Sequence, residues 1–372
     1  MTAIAESLAN LKQYYYAMFN PNPEPFVVKG DYAFKIPVYT DTHWVLKEPS
    51  NRTRYLTKQI SVLYNLDDFA TANDMKLQIH AGDAWDRGDP VMNTLYYNHL
   101  SNAIHNTFAT RLTYIVRGNH EESYSKNNLF YAHTEIVSSA LKEKLKQKDM
   151  ILPNTPYFRA TDKISLNINN TGKTLDIHFM HFNKEQKYYI PPNENFTVAV
   201  FHEDLLTLES KSKIYHHTKG MGIDLETTNI ADNVDVIICG HIHTPMEPFR
   251  LNNARRTLVI VPGSLCQRTR AETHDHVNIP VICGTPTGEV VIEFARFNLG
   301  PIVETMDIEK DTQSVKQRQL QKQIKQKYID KAEKSKNYQA FLDTLDAEDR
   351  KLLTSEGDIM PIAVMKYYTR KY

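Results

Sequence analysis

From Tyr32 onwards, apolar and polar positions predict strands and helices in turn. The stretches YAFKIPVYTDTH, MKLQIHAGD and RLTYIVRGNH carry apolar side chains at nearly alternate positions, which is typical of strands. Between them, RYLTKQISVLYNLDDFATAN and VMNTLYYNHLSNAIHNTF show the spacing of amphipathic helices. This alternation favours an open α/β sheet, in which functional residues lie just beyond the carboxyl ends of the strands.

A helix is predicted near residues 134–148, and the chain after it is rich in strand patterns. Turn sequences such as NNTG and TPTG separate these patterns. We expect them to form a second sheet packed on the first. The predicted strands are KISLNI, TLDIHFMHF, FTVAVFHE, VDVIICGHIH, TLVIVPGS, VNIPVICG and EVVIEFARF.

The two ends of the chain differ from its centre. Residues 1–20 predict a short helix that stops at the proline-rich PNPEP, so residues 1–31 are interpreted as an N-terminal appendage. The main domain is predicted over 32–304, and a polar, helical region over 305–372. There the stretch Lys316–Lys336 is basic, and its sparse apolar residues recur every four positions. It predicts either a helix that docks on a partner or a solvated basic helix.

Composition narrows the class of protein only slightly. Hydrophobic residues make up 41% of the 372 and charged residues 24%, as in soluble globular proteins. Lys+Arg and Asp+Glu both number 44, so any binding of nucleic acid must come from a local patch. Cys239, Cys266 and Cys283 form no CxxC pair and predict buried thiols in a reducing compartment. No signal peptide or membrane segment is recognised, so we expect an intracellular protein, cytoplasmic or nucleoid-associated.

Five predicted strands are followed by side chains that bind metals. Carboxylates, an amide oxygen and several imidazoles, with no cysteine, suit Mn, Fe or Zn better than metals that prefer thiolates. Gly82, Gly118 and Gly240 adjoin these residues, where tight turns after strands need a permissive backbone. The candidates are Asp41 and His43 in DTH, Asp83 and Asp86 in GDAWD, Asn119 and His120 in GNHE, His202 in VFHE, and His241 and His243 in GHIH.

The order D-x-H, GD-x-x-D, GNH, H, GH-x-H resembles that of the calcineurin-like metallophosphoesterases, over roughly residues 32–299. The resemblance implies a four-layer αββα sandwich and two divalent metal ions, Mn in the first place, with Fe, Zn or Mg as alternatives. One ion would be held by Asp41, His43, Asp83 and His243, and the other by Asp83, Asn119, His202 and His241. Asp83 would bridge the pair. Such a pair lowers the pKa of a water molecule and stabilises charge on phosphoryl oxygens.

The same resemblance implies roles for three further residues. His120 would donate a proton to the departing oxygen, and the Asp86 carboxylate would hold the His120 imidazole charged and oriented. Arg87 would bind phosphate through its planar guanidinium group. An ion pair of Arg87 with Asp89 or Glu121 is the alternative.

Two features bear on the substrate. DRG after GDAW, and Glu121 in GNHE, resemble the phosphoprotein phosphatases. The longer segment GHIHTPMEPF, followed by TLVIVPGSLCQRTRAE, is similar to the SbcD-type nuclease subunits of DNA repair and recombination, whose segment after P-G-S contains Arg and Glu. We therefore expect a DNA exonuclease and endonuclease with a C-terminal capping region, a partner ATPase of the SbcC type and a homodimer. A phosphatase and a catalytically decayed scaffold are the alternatives.

Overall fold

The computed structural model describes residues 2–45, 54–86, 94–122, 158–168, 171–182, 188–206, 222–225, 230–267, 272, 274–300 and 316. The chain divides into two compact units, Met1–Met306 and Asp307–Tyr372, and Lys316 is the described residue of the second. The predicted helix near 134–148 and the rest of the basic stretch Lys316–Lys336 lie outside these residues. The domain boundaries at 31 and 304 stay a prediction.

A five-stranded sheet contains the three strands predicted first. It has the order β13-β12-β1-β2-β3, in which β1, β2 and β3 are parallel and β12 is antiparallel to both β1 and β13. Its strands are β1 (Phe34–Tyr39), β2 (Leu77–His80), β3 (Leu112–Ile115), β12 (His276–Gly284) and β13 (Val290–Asn298).

The last two strands were assigned by the sequence patterns to the second sheet, and this assignment is wrong. Phe34 pairs with Gly284 and Pro37 with Val281, so β12 lies at the open edge of β1 and carries β13 with it. Apolar spacing identifies a strand but does not specify which edge the strand pairs with. The chain therefore returns to the first sheet after completing the second.

The second sheet has six strands in the order β10-β11-β9-β6-β5-β4. The strands β5, β6, β9 and β11 are parallel, and β4 and β10 are antiparallel to their neighbours. Its members are β4 (Lys163–Asn167), β5 (Thr174–Met180), β6 (Phe196–His202), β9 (Val236–Gly240), β10 (Phe249–Arg250) and β11 (Leu258–Ile260). A small parallel pair, β7 (Leu205–Leu206) and β8 (Ile223–Asp224), and a short 3-10 helix, Ala231–Asn233, accompany this sheet.

The two sheets pack face to face through a core of aliphatic residues. Ile36 and Val38 from β1 and Ile282 from β12 meet Val198 and Val200 from β6 in one buried cluster. The alternate residues of β6, Ala199 and Phe201, belong to a separate cluster on the opposite face of the second sheet. Both faces of β6 are thus buried, as is usual for parallel strands. The predicted two-sheet α/β fold is confirmed.

Helices cover the outer face of the five-stranded sheet. They are α1 (Thr2–Met18), α2 (Tyr55–Ala72) and α3 (Thr94–Ile104), which continues as a π-helical turn over His105–Ala109; α4 (Asn119–Glu122) is a single turn. Helix α1 ends just before PNPEP, as predicted, and its Tyr15 is buried against α2 and α3 residues. Within the described ranges, no helix has the length and apolarity needed to cross a membrane. All three cysteines are buried and form no disulfide bond, as predicted.

Candidate metal centre

The candidate ligands lie at the carboxyl ends of strands from both sheets. Asp41 and His43 follow β1, Asp83 and Asp86 follow β2, and Asn119 begins α4 after β3. From the second sheet, His202 ends β6, and His241 and His243 follow β9. Because the sheets are packed together, these ends meet at one site, which we call the metal centre.

The loops after β1 and β2 are joined by main-chain hydrogen bonds. The N–H of His43 donates to the carbonyl of Asp83 at 3.0 Å, and the N–H of Trp44 donates to the carbonyl of Ala84 at 2.8 Å. Trp44 and Trp85 are both buried beneath these loops, with their ring centroids 5.2 Å apart. The loops are thereby rigid supports for the side chains that they present.

Glu121 ties α4 to the loop after β2. Its buried carboxylate accepts the N–H groups of Asp83 at 3.0 Å, Ala84 at 2.9 Å and Gly118 at 2.8 Å. Burial, with the neighbouring negative charge of Asp83, raises the pKa of Glu121 to about 7. The sequence suggested Glu121 only as an ion-pair partner of Arg87 or as a sign of a phosphatase. Its structural role depends on backbone donors that a sequence pattern does not reveal.

The first cluster consists of Asp41, His43 and His243. The Nε2 atoms of His43 and His243 lie 2.9 Å apart, and each is 3.5 Å from Oδ1 of Asp41. That oxygen is buried and has no hydrogen-bond partner among the described residues. Three potential ligand atoms thus converge on one point.

The second cluster consists of Asp83, His202 and His241, with Asn119 beside it. One ligand atom from each of the first three lies within 4.8 Å of the others. Nε2 of His202 is 3.2 Å from Oδ2 of Asp83 and 3.2 Å from Oδ1 of Asn119. The Nδ1–H of His202 donates to the carbonyl of Ala81 at 2.7 Å, which directs Nε2 toward the cluster.

Asp83 lies between the two clusters. Its Oδ2 is 3.2 Å from Nε2 of His202 and 3.7 Å from Nε2 of His43, while its Oδ1 accepts the N–H of His120 at 3.0 Å. Oδ2 is therefore the oxygen of Asp83 that faces both clusters, because Oδ1 is engaged by the backbone.

Four of the candidate ligands have a left-handed backbone. Asp41, His43, Asp83 and His241 have φ angles of 50°, 42°, 51° and 78°. Such conformations cost free energy in residues other than glycine and are concentrated at functional sites. The strained positions are thus those whose side chains converge at the centre.

The charged groups of the centre shift one another's pKa values. Burial works to raise the pKa of the Asp41 carboxyl, but His202, His243 and His43 outweigh it and hold this pKa well below its usual value. Burial works to lower the pKa of His202, but Asp83 and Asp41 raise it to about 10. His243 behaves likewise: Asp41 and Glu272 outweigh burial and raise its pKa to about 10. The buried carboxylates of Asp41 and Asp83 thus favour positive charge in the centre.

These residues fit a pair of divalent metal ions. The unpartnered buried Oδ1 of Asp41, beside two imidazole nitrogens that face each other, provides the kind of position that a cation occupies. Carboxylate, amide and imidazole donors match the oxygen and nitrogen preference of Mn, Fe, Zn or Mg, and the described cysteines lie outside the clusters.

His120 lies at the open side of the centre, and its contact with Asp86 differs from the prediction. The side chain of His120 is 21% exposed. Its Nδ1–H donates to the backbone carbonyl of Asp86 at 2.6 Å, whereas the Asp86 carboxylate is 3.6 Å from the same nitrogen. The backbone, not the carboxylate, makes the short bond. Arg87, predicted to bind phosphate, lies outside the described residues.

Comparison with known proteins identifies the family. The model of the calcineurin-like phosphoesterases matches residues 34–245, and the chain belongs to this family. The family match supports a metal-dependent hydrolase. Among curated proteins, none matches the sequence.

Several solved structures are similar to the chain at low sequence identity. The NAD nucleotidase of Haemophilus influenzae is 16% identical, with a TM-score of 0.37, over 71% of this chain and 50% of that one. The 5'-nucleotidase precursor of Thermus thermophilus is 14% identical, with a TM-score of 0.35, over 77% of this chain and 59% of that one. A dimetal phosphatase of Danio rerio is 11% identical, with a TM-score of 0.40, over 73% of this chain and 100% of that one. The chain thus spans between half and three fifths of the two nucleotidases, and these likenesses do not indicate its substrate.

Proposed function

We propose that this chain is a two-metal phosphodiesterase that hydrolyses DNA, in the manner of the SbcD-type nuclease subunits. One metal ion is held by Asp41, His43, Asp83 and His243. The other is held by Asp83, Asn119, His202 and His241. Manganese is the proposed metal. When bound, the pair supplies a nucleophilic water and positive charge for the phosphoryl oxygens.

The observation that carries the proposal is the position of the segment after β11. The segment PGSLCQRTRAE ends the stretch that is similar to the SbcD-type subunits, and the structure describes its residues 262–267 and 272. The hydroxyl of Ser264 donates to the carbonyl of Asp41 at 2.9 Å, and its N–H donates to the carbonyl of His243 at 2.9 Å. Glu272 reaches Nδ1 of His243 at 3.1 Å. A segment that forms part of the centre is expected to influence substrate choice.

His120 is proposed as the proton donor. Because its Nδ1–H is committed to the Asp86 carbonyl, Nε2 is the nitrogen that faces the centre, 3.8 Å from Oδ2 of Asp83. A protonated Nε2 at this position can pass its proton to the departing sugar oxygen of the cleaved strand. Its partial exposure leaves room for a phosphodiester.

The proposal includes an ATPase partner of the SbcC type and a homodimer. Support for the partner comes from the basic stretch Lys316–Lys336 and its narrow apolar stripe. With 44 basic and 44 acidic residues, the chain should bind DNA through a local patch, and binding should weaken steeply with salt.

A direct comparison of substrates tests the proposal. The purified chain is loaded with Mn²⁺ and incubated with labelled duplex, hairpin and single-stranded DNA, and in parallel with a phosphopeptide and a nucleoside monophosphate. His120→Ala is the catalytic variant, and His105→Ala, at an exposed position of the π-helical turn that precedes β3, is the matched control. We expect cleavage of DNA, unchanged in His105→Ala and reduced about 10²- to 10⁴-fold in His120→Ala with both metals still bound.

Other outcomes would replace the proposal. Faster hydrolysis of the phosphopeptide or the nucleotide than of any DNA would make the chain a phosphatase, the reading that DRG and Glu121 favour. Failure to bind any transition metal would instead indicate a decayed site.

A further inference from the structure

Glu272 occupies an unusual position for a carboxylate. It is only 2% exposed, and its Oε1 lies 3.1 Å from Nδ1 of His243, a residue 29 positions earlier in the chain. Burying a carboxylate costs free energy unless a charged or hydrogen-bonding partner compensates it. His243 is such a partner, and it is also a candidate metal ligand.

The two nitrogens of His243 face different groups. Nε2 faces the first cluster, 2.9 Å from Nε2 of His43 and 3.5 Å from Oδ1 of Asp41. Nδ1 faces Glu272. An ionised carboxylate can only accept a hydrogen bond, so this contact holds a proton on Nδ1 and makes Nε2 the nitrogen that would lose its proton to bind a metal ion.

The support of His243 differs from that of the other imidazoles in the centre. The second nitrogen of His202 donates to a neutral carbonyl, that of Ala81. His241 has Asp204 nearby, but at 3.5 Å and with the Asp204 side chain 21% exposed, so solvent weakens this contact. His43 has the Asp86 carboxylate 3.9 Å from its Nδ1. The contact of Glu272 with His243 is therefore the shortest of these three carboxylate contacts.

We propose that Glu272 is a positioning residue that fixes the tautomer and orientation of His243 and thereby strengthens one of the two metal sites, the one built on Asp41, His43 and His243. A carboxylate behind a ligating imidazole makes the imidazole a better donor, and loss of such a residue commonly lowers metal affinity about 10- to 100-fold. The inference rests on the proposed metal centre and adds a difference in affinity between its two sites.

Calorimetric titration of the metal-free protein with Mn²⁺ tests the inference without using activity. Glu272→Gln keeps the size of the side chain and an accepting oxygen but removes the charge. Glu194→Gln, at an exposed position before β6, is the matched control. We expect the wild type and Glu194→Gln to bind two ions alike. In Glu272→Gln one ion should bind about 10- to 100-fold more weakly and the other as before.

Two further measurements separate positioning from a general structural effect. The visible absorption of bound Co²⁺ should change in Glu272→Gln for the weakened site alone. Glu272→Asp, which retains the charge, should bind the weakened ion more tightly than Glu272→Gln does. Equal loss at both sites, an unaltered titration, or no advantage of the aspartate variant would each overturn the inference. A wild-type chain that binds no metal would overturn the proposed centre itself.

Discussion

In Asp41 and Asp83, one carboxylate oxygen accepts hydrogen bonds from neighbouring groups and the other faces the imidazoles of the centre. Oδ2 of Asp41 accepts the hydroxyl of Thr40 and the N–H of His241, which leaves Oδ1 facing the imidazoles. In Asp83 the assignment is reversed, because Oδ1 accepts the N–H of His120. The sequence identified both residues by type and by their place after strands. It could not identify the oxygen, because the N–H donors, His241 for Asp41 and His120 for Asp83, are distant from these carboxylates in the chain.

The contact between His120 and Asp86 gives a prediction for Asp86. The short bond comes from the Asp86 carbonyl, which no side-chain substitution removes. We therefore expect Asp86→Asn to lower kcat about tenfold at most, whereas His120→Ala lowers it about 10²- to 10⁴-fold. Steady-state kinetics of both variants at saturating Mn²⁺ make the comparison. Equal losses would mean that the carboxylate, not the carbonyl, orients the imidazole.

At the scale of the elements, the sequence predicted most strands and helices but not all of their partners. The helix predicted from RYLTKQISVLYNLDDFATAN is α2, and the strand predicted from FTVAVFHE is β6. Their periodicity follows from local burial, which a sequence records. The return of β12 to the first sheet was missed because pairing is decided by long-range contacts. The grouping of Asp41, His43 and His243 came from the resemblance to the metallophosphoesterases, because strand-end placement indicates a site but not which residues share an ion.

The approach of β2 and β3 at the centre gives a prediction for Gly118. The sequence suggested that this glycine is needed for a permissive turn. Its φ is not in the left-handed region, however, and the constraint is space, since a Cβ atom there would lie 2.1 Å from Oδ1 of Asp83. Gly118→Ala must therefore displace the Asp83 carboxylate. We expect a loss of about 1–3 kcal/mol in the free energy of unfolding and weaker binding at both metal sites.

Gly172→Ala provides the matched control for this prediction. Gly172 has a φ of 75°, so alanine is strained there as well, but its Cβ would have no atom within 4 Å. This variant should lose stability while retaining both metals, as measured by calorimetric titration. Normal metal binding by Gly118→Ala would contradict the steric argument.

At the scale of the whole molecule, the centre depends on the packing of the two sheets. The five-stranded sheet supplies Asp41, His43, Asp83 and Asn119, and the six-stranded sheet supplies His202, His241 and His243. A ligand that binds only the folded chain stabilises it by mass action. Metal binding should therefore oppose separation of the sheets. A contact that joins the sheets elsewhere should in turn stabilise the centre.

One such contact is sensitive to pH. Beyond β3, the N–H of Arg117 donates to Nδ1 of His181 at 3.0 Å, and the N–H of Phe182 returns a bond to the carbonyl of Arg117 at 2.8 Å. His181 follows β5, so these bonds connect the two sheets. Nδ1 can accept only while it is unprotonated. Burial, together with the positive charge of Arg117, lowers the pKa of His181 to about 4.

The stability of the folded chain should therefore fall as the solution becomes acidic. In the unfolded chain the pKa of histidine is about 6.5, so between about pH 6.5 and pH 4 the unfolded state binds a proton that the folded state does not. His181→Asn can retain an accepting oxygen and does not titrate. Urea unfolding, followed by the fluorescence of Trp44 and Trp85, should show the wild type losing about 2 kcal/mol more than this variant between pH 7 and pH 5. If both lose the same amount, His181 is not the residue through which acid loosens the connection between the sheets.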